Sequence, residues 1–272
     1  MAMLCAYACQ SQYTEELNKL YYNADYTGVT NLLVDDDLLA PEDFFIIANA
    51  FHKLEDFEMA HYYYEMAESQ SYELPHYFLN RAICEISVGD VENAEKHLFI
   101  YEDQYGKRPI IYYNYAVIDY EMLEYKTAKE SVEIALESDP DYMEAWFLLG
   151  AINMEMDKYD KAADCFQNAL NLSPDHPEAK LYLAVALIYN KSYEDALLLL
   201  GELEITELSL LPEINYYTAE AHFMMHNQDL ACEKWEKAAS LGDDFAAKAL
   251  KTICEKGKVE RHKTRKMDRI TL

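Results

Sequence analysis

The seven prolines of this chain are spaced so regularly that they restrict its fold more than any other feature. They lie on two phases of one lattice, at intervals of 34 or 35 residues or of twice 34: Pro41, Pro75, Pro109, Pro177 and Pro212 in one phase, and Pro140 and Pro174 in the other. Proline is tolerated in the first turn of a helix and just beyond a helix end. The spacing therefore predicts a series of helices that begin and end at a regular interval.

Small residues follow the same lattice. One column is Ala60, Ala94, Ala128, Ala162, Ala196 and Ala231, and a second is Ala48, Ala82, Ala116, Gly150, Ala184 and Ala219. A small residue at a fixed phase lets two helices approach closely, because a larger side chain does not fit at their crossing. The columns therefore predict that each helix packs on the next in the same way along the chain.

Composition excludes several classes of protein. The chain has 272 residues, a net charge of −27 and 51% apolar residues, which is enough for a folded core. Its seven glycines form no GxxxxGK[ST] or GxGxxG motif for binding phosphates. The negative charge argues against a nucleic-acid partner, and the sequence has no apolar run long enough for a transmembrane span.

The segment 143–176 reads MEAWFLLGAINMEMDKYDKAADCFQNALNLSPDH and contains two amphipathic patterns of helical spacing. It resembles a tetratricopeptide repeat (TPR), whose pattern is W-x2-L-G followed by Y, A, F, A and P at set distances. The matching residues are Trp146, Leu149, Gly150, Tyr159, Ala162, Phe166, Ala169 and Pro174. The resemblance implies an all-α fold, a right-handed superhelical solenoid of about six to seven helix-turn-helix repeats with a C-terminal capping helix.

The lattice also predicts how the chain is divided. Residues 1–10 are a lead-in or the remnant of a signal, and 11–40 form a degenerate capping repeat. Six repeats follow at 41–74, 75–108, 109–142, 143–176, 177–211 and 212–245, then a capping helix at 246–256 and a basic tail at 257–272. The segment 230–250 also resembles the related Sel-like repeats.

In the TPR family, fixed positions on the first helix of each repeat face an inner groove. Carried onto this sequence, the resemblance implies a groove for a peptide or partner protein that is formed by Phe45, Asn49, His52, Asn80, Tyr113, Asn114, Tyr120, Phe147, Met154, Tyr182, Tyr216 and Phe223. Tyrosine suits such a surface because it offers apolar area and one polar end, and asparagine amides can bind peptide groups. The alternative is that some of these aromatic side chains pack between neighbouring repeats.

The charge distribution predicts the kind of partner. Residues 251–272 contain eight Lys and Arg and three acidic residues, a net of +5, so residues 1–250 carry −32. We expect a neutral or basic protein partner, since an acidic one would be repelled. TPR proteins that grip acidic chaperone tails have a lysine where Phe45, Leu79 and Tyr113 stand here, so that subtype is excluded.

No residue pattern predicts catalysis, a cofactor or a metal site, and we therefore expect no enzyme. His222 and His226 have a spacing that can bind one metal, but no third ligand accompanies them. The six cysteines form no CxxC pair; Cys84 and Cys165 are expected to be buried thiols, and a disulfide between Cys232 and Cys254 is a minor hypothesis.

The two ends leave alternatives open. The protein is expected to be cytoplasmic, but Ala8-Cys9 resembles a lipid-attachment site, so a periplasmic or membrane-anchored assembly factor is an alternative. A third hypothesis is self-association or autoinhibition, in which the basic segment Lys256 to Leu272 binds the acidic repeats.

Overall fold

The computed structural model describes residues 13–32, 39–69 and 77–254. The ordered elements in these ranges are helices joined by short turns, and none of the described residues is in a strand. Consecutive helices pack in pairs. The predicted all-α architecture of helix-turn-helix repeats is therefore confirmed.

The helices, in chain order, are α1 (residues 13–22), α2 (Tyr26–Asn31), α3 (Pro41–Lys53), α4 (Phe57–Ser69), α5 (Tyr77–Val88), α6 (Val91–Tyr105), α7 (Pro109–Glu121), α8 (Tyr125–Ser138), α9 (Met143–Glu155), α10 (Tyr159–Leu172), α11 (Pro177–Tyr189), α12 (Tyr193–Thr206), α13 (Leu211–Met224), α14 (Gln228–Ser240) and α15 (Asp244–Ala249). A 3₁₀ turn at Leu208–Leu210 precedes α13, and a π-helical turn at Leu250–Cys254 follows α15. From α3 onward, odd-numbered helices up to α13 are the first helix of a pair, and the helix after each is the second.

The prolines act as helix boundaries. Pro41, Pro109 and Pro177 are the first residues of α3, α7 and α11. Pro140 and Pro174 follow the ends of α8 and α10 by two residues. This is where a residue without an N–H costs least, because the first N–H groups of a helix have no partner within it.

The turn inside each pair has one conformation throughout. Its central residue has a positive φ of 57° to 82°, at Glu55, Gly89, Leu123, Asp157, Lys191 and His226. The N–H of the next residue then donates to the carbonyl five residues earlier, as Lys158 does to Asn153 over 2.8 Å. This is the Schellman arrangement, which satisfies carbonyls at the end of the first helix.

The two columns of small residues lie in the interior of the helical pairs. All six alanines from Ala60 to Ala231 in the first column are fully buried, and so are the alanines of the second. The second column contains Gly150, where an added Cβ would lie 2.6 Å from Cε1 of Phe166. The aromatic ring of the second helix thus occupies the space that a side chain on the first would need.

The described chain divides into two compact units. We call residues up to Ile118 the N-terminal unit and those from Asp119 onward the C-terminal unit. Each has its own apolar core, with Phe44, Tyr64 and Leu98 in the first and Leu200, Tyr217 and Trp235 in the second. The order of helices brings the first helices of neighbouring pairs together within each unit, and they position the candidate site.

The C-terminal unit ends with α15 and the π-helical turn. A disulfide joins Cys232 of α14 to Cys254 at the end of that turn, and Ile253 beside it is buried. These elements occupy much of the segment predicted as a capping helix, and they begin two residues earlier, at Asp244. The predicted lead-in at 1–10 and the basic tail at 257–272 lie outside the described residues.

None of the helices in the described ranges is both long and apolar enough to cross a membrane.

Candidate binding surface on the first helices

The structure separates the twelve predicted groove residues into two groups. Eight are half-buried and present part of their surface to solvent: Phe45, His52, Asn80, Tyr113, Phe147, Met154, Tyr182 and Phe223. The other four are buried: Asn49, Asn114, Tyr120 and Tyr216. Only the first group offers contact area to a ligand without rearrangement of the helices.

The asparagines of the N-terminal unit bind groups of the chain itself. Asn49 Oδ1 accepts hydrogen bonds from the hydroxyl of Tyr64 and from Nδ2 of Asn80, both over 2.8 Å. Asn114 Nδ2 donates to the carbonyl of Ile110 in its own helix over 2.7 Å. We therefore leave Asn49 and Asn114 out of the candidate surface, because their groups stabilise the fold.

His52 and Cys84 form a close pair in the N-terminal unit. His52 Nδ1 lies 3.2 Å from Cys84 Sγ, and burial lowers the pKa of the histidine. Burial also raises the pKa of the Cys84 thiol to about 12, with a further contribution from Glu85. A thiol with such a pKa stays protonated at neutral pH and is a poor nucleophile, so this pair supports no catalytic role.

In the C-terminal unit, Phe147 of α9 and Tyr182 of α11 form the centre of an aromatic cluster. Their ring centroids are 5.4 Å apart with the planes at 83°, the edge-to-face geometry that aromatic pairs prefer. The ring of Phe166 contacts both, with centroid distances of 5.5 Å to Phe147 and 5.6 Å to Tyr182, and the ring of His176 lies 5.6 Å from that of Phe147. Phe166 is fully buried, whereas Phe147 and Tyr182 are half-buried. The cluster is therefore anchored in the core and partly open to solvent.

Met154 of α9 and Phe223 of α13 are two further half-buried residues on first helices of this unit. Both pack against the core of the C-terminal unit while remaining half-buried. Phe223 lies 5.5 Å from the buried ring of Trp235. We call Phe147, Met154, Tyr182 and Phe223 the first-helix surface of the C-terminal unit.

A second aromatic pair, which the sequence analysis did not select, is Tyr159 and Tyr189. The two rings stack with centroids 4.6 Å apart and planes at 15°. Burial raises the pKa of Tyr189 to about 12, and the nearby carboxylates of Glu220, Asp157 and Glu155 add to the shift. Because Tyr189 is the last residue of a first helix, its position in the sequence could have identified it as a candidate surface residue. The carboxylates make the potential around this pair negative.

A buried ionic cluster in the N-terminal unit was also missed. Arg81 Nε donates to Glu85 Oε1 over 2.8 Å, and His97 Nδ1 lies 2.7 Å from Glu85 Oε2. All three side chains are almost completely buried, and Arg81 also donates to the hydroxyl of Tyr77. In the sequence, Arg81 and Glu85 are one helical turn apart, which is the spacing of an ion pair, but this spacing does not indicate that the pair is buried.

The two histidines noted for their spacing, His222 and His226, lie in different environments. His222 is half-buried in α13, where burial lowers its pKa, whereas His226 is the exposed left-handed residue of the following turn. Among the residues that the structure describes, no three His, Cys, Asp or Glu side chains are grouped to hold a metal ion.

Comparisons with known proteins found one family model and a number of solved structures. A family model described as tetratricopeptide repeat matches residues 143–176. No curated protein matches the chain. Solved structures do, at identities that show the fold alone.

Three of these structures illustrate the similarity. The C-terminal part of a TPR repeat-containing protein from Cytophaga hutchinsonii has 18% identity and a TM-score of 0.60 over 87% of this chain and 98% of its own. YrrB, titled a TPR protein with an unusual peptide-binding site, has 20% identity and a TM-score of 0.57 over 69% and 97%. The APC/C hetero-tetramer Cut9–Hcn1 has 15% identity and a TM-score of 0.69, over 86% of this chain and 47% of that one.

Proposed function

We propose, from the premise that this chain is a tetratricopeptide repeat protein, that it is a non-enzymatic scaffold that binds a peptide or a partner protein on its first helices. The observation that carries the proposal is the half-open aromatic cluster of Phe147 and Tyr182. Aromatic side chains held in position by a core are the usual anchors of protein interfaces, because they bury a large area at a low entropic cost.

The electrostatics near the end of α11 favour a neutral or basic ligand. Glu155, Asp157 and Glu220 are close enough to Tyr189 to raise its pKa. Glu220 is buried, whereas Glu155 is half-buried and Asp157 is exposed. A lysine or arginine of a ligand would be attracted to Glu155 and Asp157, and the stacked tyrosine pair adds a cation–π contribution. An acidic ligand would be repelled by the net charge of −27.

The similar structures support a binding role without specifying the ligand. One is titled for a peptide-binding site, and another was solved as a complex of two different proteins. The proposal extends that role to this chain and locates it on Phe147, Met154, Tyr182 and Phe223.

The test is affinity capture from the native source, comparing wild type with a Phe147→Ala/Tyr182→Ala variant. Loss of the two rings should abolish capture of specific partners while leaving the helical content unchanged. Phe99→Ala is the matched control, because Phe99 is an exposed aromatic residue on a second helix. If the double variant captures the same proteins as wild type, the first-helix surface is not the binding site; a separate Tyr113→Ala variant tests the N-terminal unit in the same way.

A second candidate concerns the compartment. A disulfide such as Cys232–Cys254 persists in an oxidising environment, which favours the periplasmic or membrane-anchored alternative over a cytoplasmic one. Alkylation of the native protein before and after reduction, followed by mass measurement, tests this. Two additional alkylated cysteines after reduction would support it, and equal alkylation would contradict it.

A further inference from the structure

The second helix α12 has an apolar outer face that differs from those of its neighbours. Leu198 and Ile205 are exposed, at 66% and 82%, and Leu208 just beyond the helix is 74% exposed. Gly201 lies between the first two on the same face and is also exposed. Steps of three and four residues place Leu198, Gly201 and Ile205 in one line on α12, and we call these three residues, with Leu208 just after the helix, the α12 stripe.

The repeats themselves show that this stripe is not required by the fold. At the three phases of Leu198, Gly201 and Ile205, the other second helices of the C-terminal unit have only polar residues: Glu130, Glu133 and Glu137 in α8, Asp164, Gln167 and Asn171 in α10, and Glu233, Glu236 and Ser240 in α14. Those helices pack in the same way without apolar residues there. The stripe therefore covers no part of the core, and another explanation is needed.

Gly201 gives a second indication. Glycine inside a helix is unfavourable relative to alanine, since it loses more conformational freedom on folding. A Cβ added at Gly201 would have no heavy atom within 4 Å, so packing inside the chain does not require the glycine. A small residue between two exposed aliphatic side chains forms a notch into which a bulky side chain of another helix fits.

The charges on α12 indicate which kind of partner would bind to the stripe. The sequence of α12 contains Glu194, Asp195, Glu202 and Glu204 and no lysine or arginine. Glu194, Asp195 and Glu202 are exposed. Glu204 is paired with Lys234 of α14 over 2.7 Å. A second copy of this face would be repelled, whereas a cationic helix would be attracted.

We propose that the α12 stripe is a docking site for a basic amphipathic helix of a partner protein. The apolar face of the partner would lie on Leu198, Ile205 and Leu208 with one large side chain over Gly201. Its flanking lysines or arginines would lie near Glu194 and Glu202. This site is on a second helix and does not depend on the first-helix surface described above.

The test uses a fluorescent synthetic peptide of about 18 residues made of leucine and lysine, with the leucines on one helical face. A scrambled peptide of the same composition has the same charge but no apolar face. Full-length wild type is expected to bind the amphipathic peptide about tenfold more tightly than the scrambled one, in fluorescence anisotropy at physiological salt. Equal binding of the two peptides would overturn the proposal, because charge alone would then explain it.

Variants locate the binding. Leu198→Gln/Ile205→Asn gives the stripe the polar character of its neighbours and should weaken binding about tenfold, while Ile134→Asn, on the outer face of α8, is the matched control. Glu194→Gln/Glu202→Gln should reduce the salt dependence. The Phe147→Ala/Tyr182→Ala variant should bind the peptide normally, which separates this site from the proposed function.

Two outcomes would assign the stripe to another occupant and overturn the proposal. One is a dimer in sedimentation that Leu198→Gln/Ile205→Asn dissociates, which would indicate a second copy. The other is carbodiimide cross-linking, within the monomer, of lysines in 255–272 to Glu194 or Glu202, which would indicate that the chain's own C-terminal segment occupies the stripe.

Discussion

The ring of Phe166 lies over Gly150 so closely that a Cβ on the glycine would be 2.6 Å from the ring. Alanine is the better helix former, so propensity alone predicts that Gly150→Ala is stabilising. The contact reverses that expectation, because Phe166 is fully buried and its ring packs against those of Phe147 and Tyr182.

We therefore expect Gly150→Ala to lower the free energy of unfolding by about 1–3 kcal/mol. Gly201→Ala is the matched control, since its Cβ would enter open space; it should raise the free energy of unfolding by about 0.5–1 kcal/mol. Urea unfolding followed by circular dichroism measures both. A stabilising Gly150→Ala would mean that the ring of Phe166 is not held in place.

The Arg81–Glu85 pair should contribute strongly because both side chains are buried. Replacing Arg81 with methionine leaves the Glu85 carboxylate in the core with less compensation, which costs about 3–5 kcal/mol. Lys129→Met breaks the partly exposed pair with Glu133, whose contact of 2.7 Å is about as short as the 2.8 Å of the buried pair, and should cost at most about 1 kcal/mol. Similar losses from the two variants would contradict the burial of the Arg81 cluster.

Removal of the disulfide should destabilise the C-terminal unit. Cys232 and Cys254 are 22 residues apart, and cross-linking a loop of this size contributes about 3 kcal/mol by restricting the unfolded chain. Wild type in reductant and a Cys232→Ser/Cys254→Ser variant should unfold at the same lower urea concentration. A wild type that is insensitive to reductant would show that this bond does not contribute.

Stability should fall as the pH falls below 6.5, in part because of His52. Burial lowers its pKa from the ordinary 6.5, so the unfolded chain takes up a proton before the folded one does. The contribution of His52 to stability is thus complete above pH 6.5 and is lost as the pH falls towards the folded-state pKa. His52→Gln should make the change in unfolding free energy between neutral and mildly acidic pH smaller, and His226→Asn, in an exposed turn, should not.

The left-handed turns provide a reciprocal pair of variants. Leu123 has a φ of 66°, which is strained for a residue with a side chain, and Gly89 has a φ of 82° at the equivalent position. Leu123→Gly should stabilise the protein and Gly89→Ala should destabilise it, each by about 1 kcal/mol. Thermal unfolding of the two single variants tests this, and a loss of stability in both would show that the Leu123 side chain contributes more than the strain costs.

The sequence was sufficient to predict the helices and their packing. Pro41, Pro109 and Pro177 begin helices as expected, and the alanines of the two columns are fully buried. These features depend on local backbone chemistry and on side-chain volume, both of which can be read from single positions.

Exposure on the first helices could not be predicted in the same way. Asn49 has the helical phase of a groove residue, but its side chain is hydrogen-bonded to Tyr64 and Asn80. Tyr216 has the same kind of phase, but its ring packs against Tyr217 and Phe245. Whether a side chain at that phase is exposed to solvent depends on the size and orientation of side chains on other helices. The pattern of one helix does not contain that information.

The recurring left-handed turn has a consequence for how the protein can change in length. Because the turn fixes the path between two paired helices, an inserted residue is tolerated best in the connection to the next pair. The chain already shows this: Asp157 to Pro177 is 20 residues, whereas Lys191 to Pro212 is 21, and the 3₁₀ turn Leu208–Leu210 lies in that longer connection. We therefore expect that a whole helical pair can be inserted or deleted most easily by cutting the chain in the connections between pairs.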